Sequence, residues 1–87
     1  MVSVSIPSFF SDTTGGAITA EAQGRTVSEV IDSLDKTFPG MRARICDDDQ
    51  LKMFIVITVD GRVAAEELDT PVGPDSEMGI LFAMGGG

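Results

Sequence analysis

The chain has 87 residues, enough for one domain with a modest core and too few to enclose a deep substrate cavity of its own. Its hydrophobic content of 43% exceeds that of disordered acidic chains, while 14 acidic against 6 basic residues oppose nucleic acid and anionic membranes and favour partners with basic surfaces. Histidine, tryptophan and tyrosine are all absent, which removes the commonest general base, the commonest zinc ligand and two stacking residues, so independent catalysis is not expected.

Val2, Val4 and Ile6 alternate with Ser3 and Ser5, the period of a strand with one buried face, and Pro7 ends it by removing a backbone donor. The small and polar segment 8–16 reads as a loop closing on Gly15-Gly16, with Phe9 and Phe10 either a flap over the core or a docking patch. Ile18, Ala20 and Ala22 then alternate within Ala17 to Ala22, a second strand forming a hairpin with the first. Thr26 with Glu29 three residues on is a capping box that opens a helix. Val27, Val30, Ile31, Leu34 and Phe38 form its apolar stripe. Glu29, Asp32, Asp35 and Lys36 are expected to face water, with Asp32 and Lys36 paired at i,i+4, and Pro39-Gly40 stops the helix.

Met41 and Ile45 predict a short helical turn against the core with Arg42 and Arg44 outward. Cys46 is the lone cysteine, so no internal disulfide forms, and without a histidine to activate it a buried apolar role competes with a catalytic one. Asp47-Asp48-Asp49 suggests calcium, but the glycine and terminal glutamate of an EF-hand loop are missing; a solvated acidic loop is the other reading. Met53 to Val59 is the most β-prone run and is expected in the middle of the sheet. Asp60-Gly61 is a turn signal from which Arg62-Val63-Ala64 returns as a short strand. An irregular connection through Asp69-Thr70-Pro71 and Gly73-Pro74-Asp75 leads to a last strand, Met78 to Met84, with Met78, Ile80 and Phe82 on one face and Leu81 and Ala83 on the other. No leader segment and no membrane span are evident, which makes the cytoplasm the expected compartment.

The last strand runs into Gly85-Gly86-Gly87. Three glycines have no side chain to pack and lose the most freedom on ordering, so they read either as a frayed end or as a projecting tail that enters a partner's narrow channel and presents the Gly87 carboxylate. The order hairpin, helix, strand, short strand, final strand predicts an α+β domain over residues 1–84, a β-grasp or ubiquitin-like mixed sheet of four to five strands on one main helix, its final strand inside the sheet beside the first, with 85–87 as a flexible C-terminal tail. With helix cover on one face only, Phe54, Val56, Leu81 and Ala83 are expected to leave an apolar docking patch beside the tail.

Val59-Asp60-Gly61, Leu68-Asp69-Thr70-Pro71-Val72, Met78-Gly79-Ile80-Leu81 and the final Gly86-Gly87 make the chain similar, over essentially its whole length, to the ThiS/MoaD family of bacterial sulfur carriers. Val2-Ser3-Val4-Ser5-Ile6-Pro7, Thr14-Gly15-Gly16 and Phe38-Pro39-Gly40 are most similar to its CysO-like branch. Phe82 stands where the family often has proline, Gly85 takes the place of a small residue, and Asp75-Ser76-Glu77 replaces an Asp-Gly-Asp-like turn, a change expected to affect local backbone strain. The resemblance implies a co-substrate, not an enzyme. An E1-like adenylyltransferase of the ThiF/MoeB type would activate Gly87 with Gly85 and Gly86 threading its site, a sulfurtransferase or other donor would supply sulfur, and a synthase would accept it from the thiocarboxylate. ATP and any metal would belong to the activating partner, and the chain itself would bind no cofactor or metal. The same activated end would serve a protein modifier joined to lysines or a molybdopterin-synthase small subunit, and a docking domain whose tail is irrelevant is the remaining alternative. The sequence leaves the pathway open.

Overall fold

Residues 1–82 are described in the structure, a computed structural model of the protein. Expectations that fall on Ala83, Met84, Gly85, Gly86 and Gly87, including a domain boundary at 84, lie outside the described residues.

The serine–valine alternation places Val2 and Val4 in the core and Ser3 and Ser5 in solvent, and this strand, β1 (Val2–Ser5), pairs antiparallel with β2 (Thr19–Ala22), Val4 opposite Ala20. The expected hairpin therefore forms. Its second strand starts at Thr19, so that Ile18, although its carbonyl accepts from the Ile6 amide at 2.8 Å, stays exposed. The connection is not an open loop. Residues Ser8–Phe10 make a 3-10 turn and α1 (Ser11–Thr14) a single α-helical turn, elements too short to show a 3.6-residue period in the sequence.

Helix α2 (Val27–Thr37) begins where the capping residues predict, the Thr26 hydroxyl accepting from the Glu29 amide at 3.2 Å. The Glu29 carboxylate takes the amide of Arg25 at 3.0 Å instead of that of Thr26, so the box is displaced by one residue. Val27, Val30, Ile31 and Leu34 are fully buried beneath the sheet, with Phe38 packed at the margin. The expected Asp32–Lys36 pair gives way to a tertiary one. α3 (Met41–Ile45) folds back on α2, and the planar Arg42 guanidinium meets Asp32 at 2.8 Å while also reaching the Ser28 carbonyl at 3.4 Å. Asp35, expected in solvent, accepts from the amides of Gly40 and Arg42 at 3.2 and 3.0 Å and so caps the start of α3.

The triple aspartate lies at the turn of a small hairpin, β3 (Cys46–Asp47) with β4 (Gln50–Leu51). β5 (Ile55–Val59) is shorter than expected, because Met53 and Phe54 form a turn before it, 88% and 49% exposed. Asp60 and Gly61, at φ 52° and 83°, make the two-residue turn with both central residues left-handed that matches strand twist, and β6 (Arg62–Val63) returns from it. The long connection to β7 (Glu77–Phe82) is tied to the start of α2: the Val27 amide donates to the Thr70 carbonyl at 3.0 Å and the Val72 amide to the Arg25 carbonyl at 2.9 Å. Leu68 and Val72 are buried along it.

The sheet order is β2-β1-β7-β5-β6. β7 lies inside the sheet beside β1 as expected, parallel to it with Val4 opposite Met78 and antiparallel to β5 with Ile57 opposite Ile80, and it rather than β5 is the middle strand. The unbroken hydrophobicity of 55–57 does not come from a central position. Ile55 and Ile57 face the core, and Val56 belongs to an uncovered outer face. A five-stranded mixed sheet with its main helix on one side is the β-grasp arrangement expected. Among the described residues no helix is long and apolar enough to cross a membrane.

Candidate functional site

The end of β7 is where the two faces of the sheet diverge. On the outer face Leu81 stands opposite Val56, and one pair further along Gly79 stands opposite Thr58. An added Cβ at Gly79 would come within 2.6 Å of the Thr58 hydroxyl oxygen, so glycine there lets the threonine lie over the middle strand. Thr58 also pairs with Val63, which places that exposed side chain on the same face. Leu81 is 50% exposed and Val56 half-buried, while the other half of this face, from Ser3, Ser5, Thr19 and Glu21, is polar. Among the described residues the apolar side chains of this face, Val56, Val63 and Leu81, all come from β5, β6 and β7, with Thr58 and Glu77 as their polar neighbours.

Of the residues expected in a docking patch, Val56 and Leu81 are brought together as cross-strand partners and Phe54 is exposed just before β5. Ala83 and the expected functional residues Gly85, Gly86 and Gly87 lie outside the described residues. Val63 was not anticipated, although the two-residue turn at Asp60-Gly61 sets its register against Thr58 and hence its face.

On the inner face Phe82 meets two rings that the sequence left between flap and patch. Phe10 is buried, whereas Phe9 is 59% exposed with its ring centroid 4.4 Å from that of Phe82. The Arg44 guanidinium lies 5.6 and 5.2 Å from the centres of Phe9 and Phe10, and it is held by Asp12 at 2.9 Å and by the Thr13 hydroxyl at 2.9 Å. Arg44 is therefore not simply an outward charge.

The opposite end of β7 is pinned by Asp60, whose carboxylate accepts from the Glu77 amide and the Ser76 hydroxyl, both at 2.9 Å. Ser76 in turn accepts from the Gly73 amide at 2.9 Å. These bonds stabilise the ionised form and hold the Asp60 carboxyl below its ordinary value, first through the Glu77 amide and then through the Ser76 hydroxyl. The expected strain at Asp75-Ser76-Glu77 is replaced by this side-chain bridge, and none of the three has a positive φ.

Cys46 is buried, and burial pushes its thiol above the ordinary value, opposite to what a nucleophile needs. Among the described residues no group of three His, Cys, Asp or Glu side chains could hold a metal ion. A groove of about 810 Å³ lined by Val2, Gly24, Glu29, Ser33, Lys36 and Pro74 lies near the start of β1, at the far end of the sheet from Phe82.

The ThiS family profile matches residues 4–87. A chain of the crystal structure of the Amycolatopsis orientalis BexX/CysO complex is 34% identical, with all of both chains covered and a TM-score of 0.93. The crystal structure of Mycobacterium tuberculosis CysO is 29% identical over 97% of this chain and 100% of that one, with a TM-score of 0.87. The solution structure of small archaeal modifier protein 1 from Methanosarcina acetivorans is 24% identical over 99% and 95% of the two chains at a TM-score of 0.82, a likeness of fold alone. No curated protein matches the chain. On the family match and these two CysO structures, the chain belongs to the ThiS family, in its CysO-like branch.

Proposed function

We propose that the protein is a sulfur carrier whose body docks an activating partner through the outer face of β5, β6 and β7 while the Gly87 carboxylate undergoes the chemistry. The observation that carries this reading is the place of β7. The strand that leads toward Gly85-Gly86-Gly87 is the central one of the sheet, paired with β1 along its first half and with β5 through Phe82, and an apolar patch of the outer face lies next to its end. The likeness to CysO, including a chain crystallised with BexX, supports a carrier that works through a protein partner.

In the proposed reaction an E1-like adenylyltransferase joins the Gly87 carboxylate to AMP from ATP and releases pyrophosphate. A hydrosulfide-level nucleophile from a sulfur donor attacks the acyl carbon, AMP leaves, and the product is a C-terminal thiocarboxylate that an accepting synthase consumes. The chain supplies the carboxylate and the docking surface, and ATP and any metal belong to the partner. Ordering each threaded glycine costs about 1–2 kcal/mol in backbone entropy, so the affinity must come from the body. Phe54, Val56 and Leu81 are the residues proposed to supply it, with Ala83 as their continuation, and the net charge of -8 speeds encounter with a basic partner.

Incubation with the activating enzyme of the same genome, ATP and a sulfide donor, followed by intact-protein mass spectrometry, tests the reading. Replacement of one oxygen by sulfur, lost on deletion of Gly86-Gly87, is the expected result. A higher-mass conjugate to a lysine would make the chain a modifier, and an unchanged mass would remove the carrier assignment.

A further inference from the structure

The parallel pairing of β7 with β1 ends early. Its register runs Ser3 with Glu77, Val4 with Met78 and Ser5 with Gly79, and Pro7 then turns the chain away from the sheet. Residues Ile80 to Phe82 keep their ladder to β5 but lie beyond the paired span of β1. The departing chain does not leave that stretch unattended. It winds into the 3-10 turn Ser8–Phe10 and brings two aromatic rings onto Phe82, with centroids 4.4 Å away for Phe9 and 5.5 Å for Phe10. Phe9 and Phe10 meet edge to face at 5.6 Å, so the three rings form one cluster.

Arg44 completes it from α3. Its guanidinium lies against the rings of both Phe9 and Phe10, and Asp12 and Thr13, on the turn after Phe10, hold it by Nη1 at 2.9 Å each. Two segments distant in sequence thus serve the last described side chain, the Phe9–Phe10 turn by direct ring contact and Arg44 through those two rings. A ring placed only to fill the core would be buried, as Phe10 is. Phe9 remains 59% exposed, and among the described residues its ring meets the rings of Phe10 and Phe82 and the Arg44 cation.

We propose that Phe9 and Phe10, held in turn by Arg44, clamp Phe82 and thereby fix the position and direction from which residues 83–87 begin, which makes Phe9 a positioning residue for the reaction at Gly87. The inference rests on the carrier reading and adds to it a division of labour between faces. Docking belongs to Leu81 and Val56 on the outer face, and aim belongs to the clamp on the inner one. Loss of the clamp lowers the fraction of docked complexes in which the carboxylate is in place, without changing how well the body docks.

Phe9→Ala tests this through two readouts. Pyrophosphate exchange with the activating enzyme should show kcat reduced about tenfold with KM near the wild-type value, and Phe9→Tyr, whose hydroxyl can point into solvent, should restore it. Independently of any enzyme, amide relaxation should show a lower order parameter at Phe82 in Phe9→Ala while that of Ile57 stays unchanged. Arg44→Gln should move both readouts in the same direction by less. A rise in KM with kcat unchanged would make Phe9 a docking residue and overturn the proposal, as would an unchanged order parameter at Phe82. If the wild-type chain supports no exchange, the carrier reading fails and the positioning role with it, an outcome distinct from a wild-type rate that Phe9→Ala leaves untouched.

Discussion

Leu81 and Phe82 are neighbours in the chain, both large and apolar, and they have opposite fates. Phe82 points to the helix side, where Phe9 and Phe10 pack on it, and Leu81 points away, where the described structure leaves it half exposed opposite Val56. The same contrast runs across the whole sheet. Every inward position of β1, β7 and β5 up to Ile57 is occupied by the single core, whereas the described outer face is polar over β1 and β2 and carries its apolar side chains, Val56, Val63 and Leu81, on β5 to β7. Hydrophobic content alone does not distinguish a residue that stabilises the fold from one available to a partner. What distinguishes them is whether this chain has another element to lay over that face.

The largest effect should come from the covered side. Ile80→Ala removes a side chain 2% exposed in the central strand and should cost about 2–5 kcal/mol in urea unfolding. A loss below about 1 kcal/mol would mean that the inner face of β7 is not the core it resembles. Leu81→Asp should do the reverse. Stability should change by about 1 kcal/mol or less, while affinity for the activating enzyme, measured by calorimetry, should fall at least about tenfold. Unchanged affinity would remove Leu81 from the docking surface.

The smallest effect concerns what keeps the two faces from exchanging. A slip of β7 by one residue would send Leu81 inward and Phe82 outward, and Asp60 opposes that slip by holding the Glu77 amide. Because the folded Asp60 carboxyl is held below the unfolded value of 3.8, its contribution is complete above that value and fades as pH falls through the lower folded one. The stability difference between wild type and Asp60→Asn should accordingly shrink as the solution is acidified across that window. A difference that grows with acidification would reverse the assignment.

Much of the fold was legible because its signals are local. The cap at Thr26, the stripe of α2, the alternation of β1 and the turn at Asp60-Gly61 each depend on a few adjacent residues, and each formed where the sequence placed it, the capping carboxylate alone shifting to Arg25. Apart from the short turns at 8–14 and 53–54, the misreadings share another origin. Asp32 took Arg42 and not Lys36, β5 lost the middle of the sheet to β7, and Phe9 and Phe10 parted between surface and core. In each case the partner came from a segment distant in sequence.

The sequence by itself thus determined the elements, the charge and the family, since periodicity, capping and motif are properties of short stretches. Only the tertiary structure decided that Phe82 is gripped while Leu81 stays open. A strand with two apolar faces carries no mark of which face its own chain can cover, and that choice depended on one helix lying on one side of the sheet and on β1 ending in time for Phe9 to turn back onto β7.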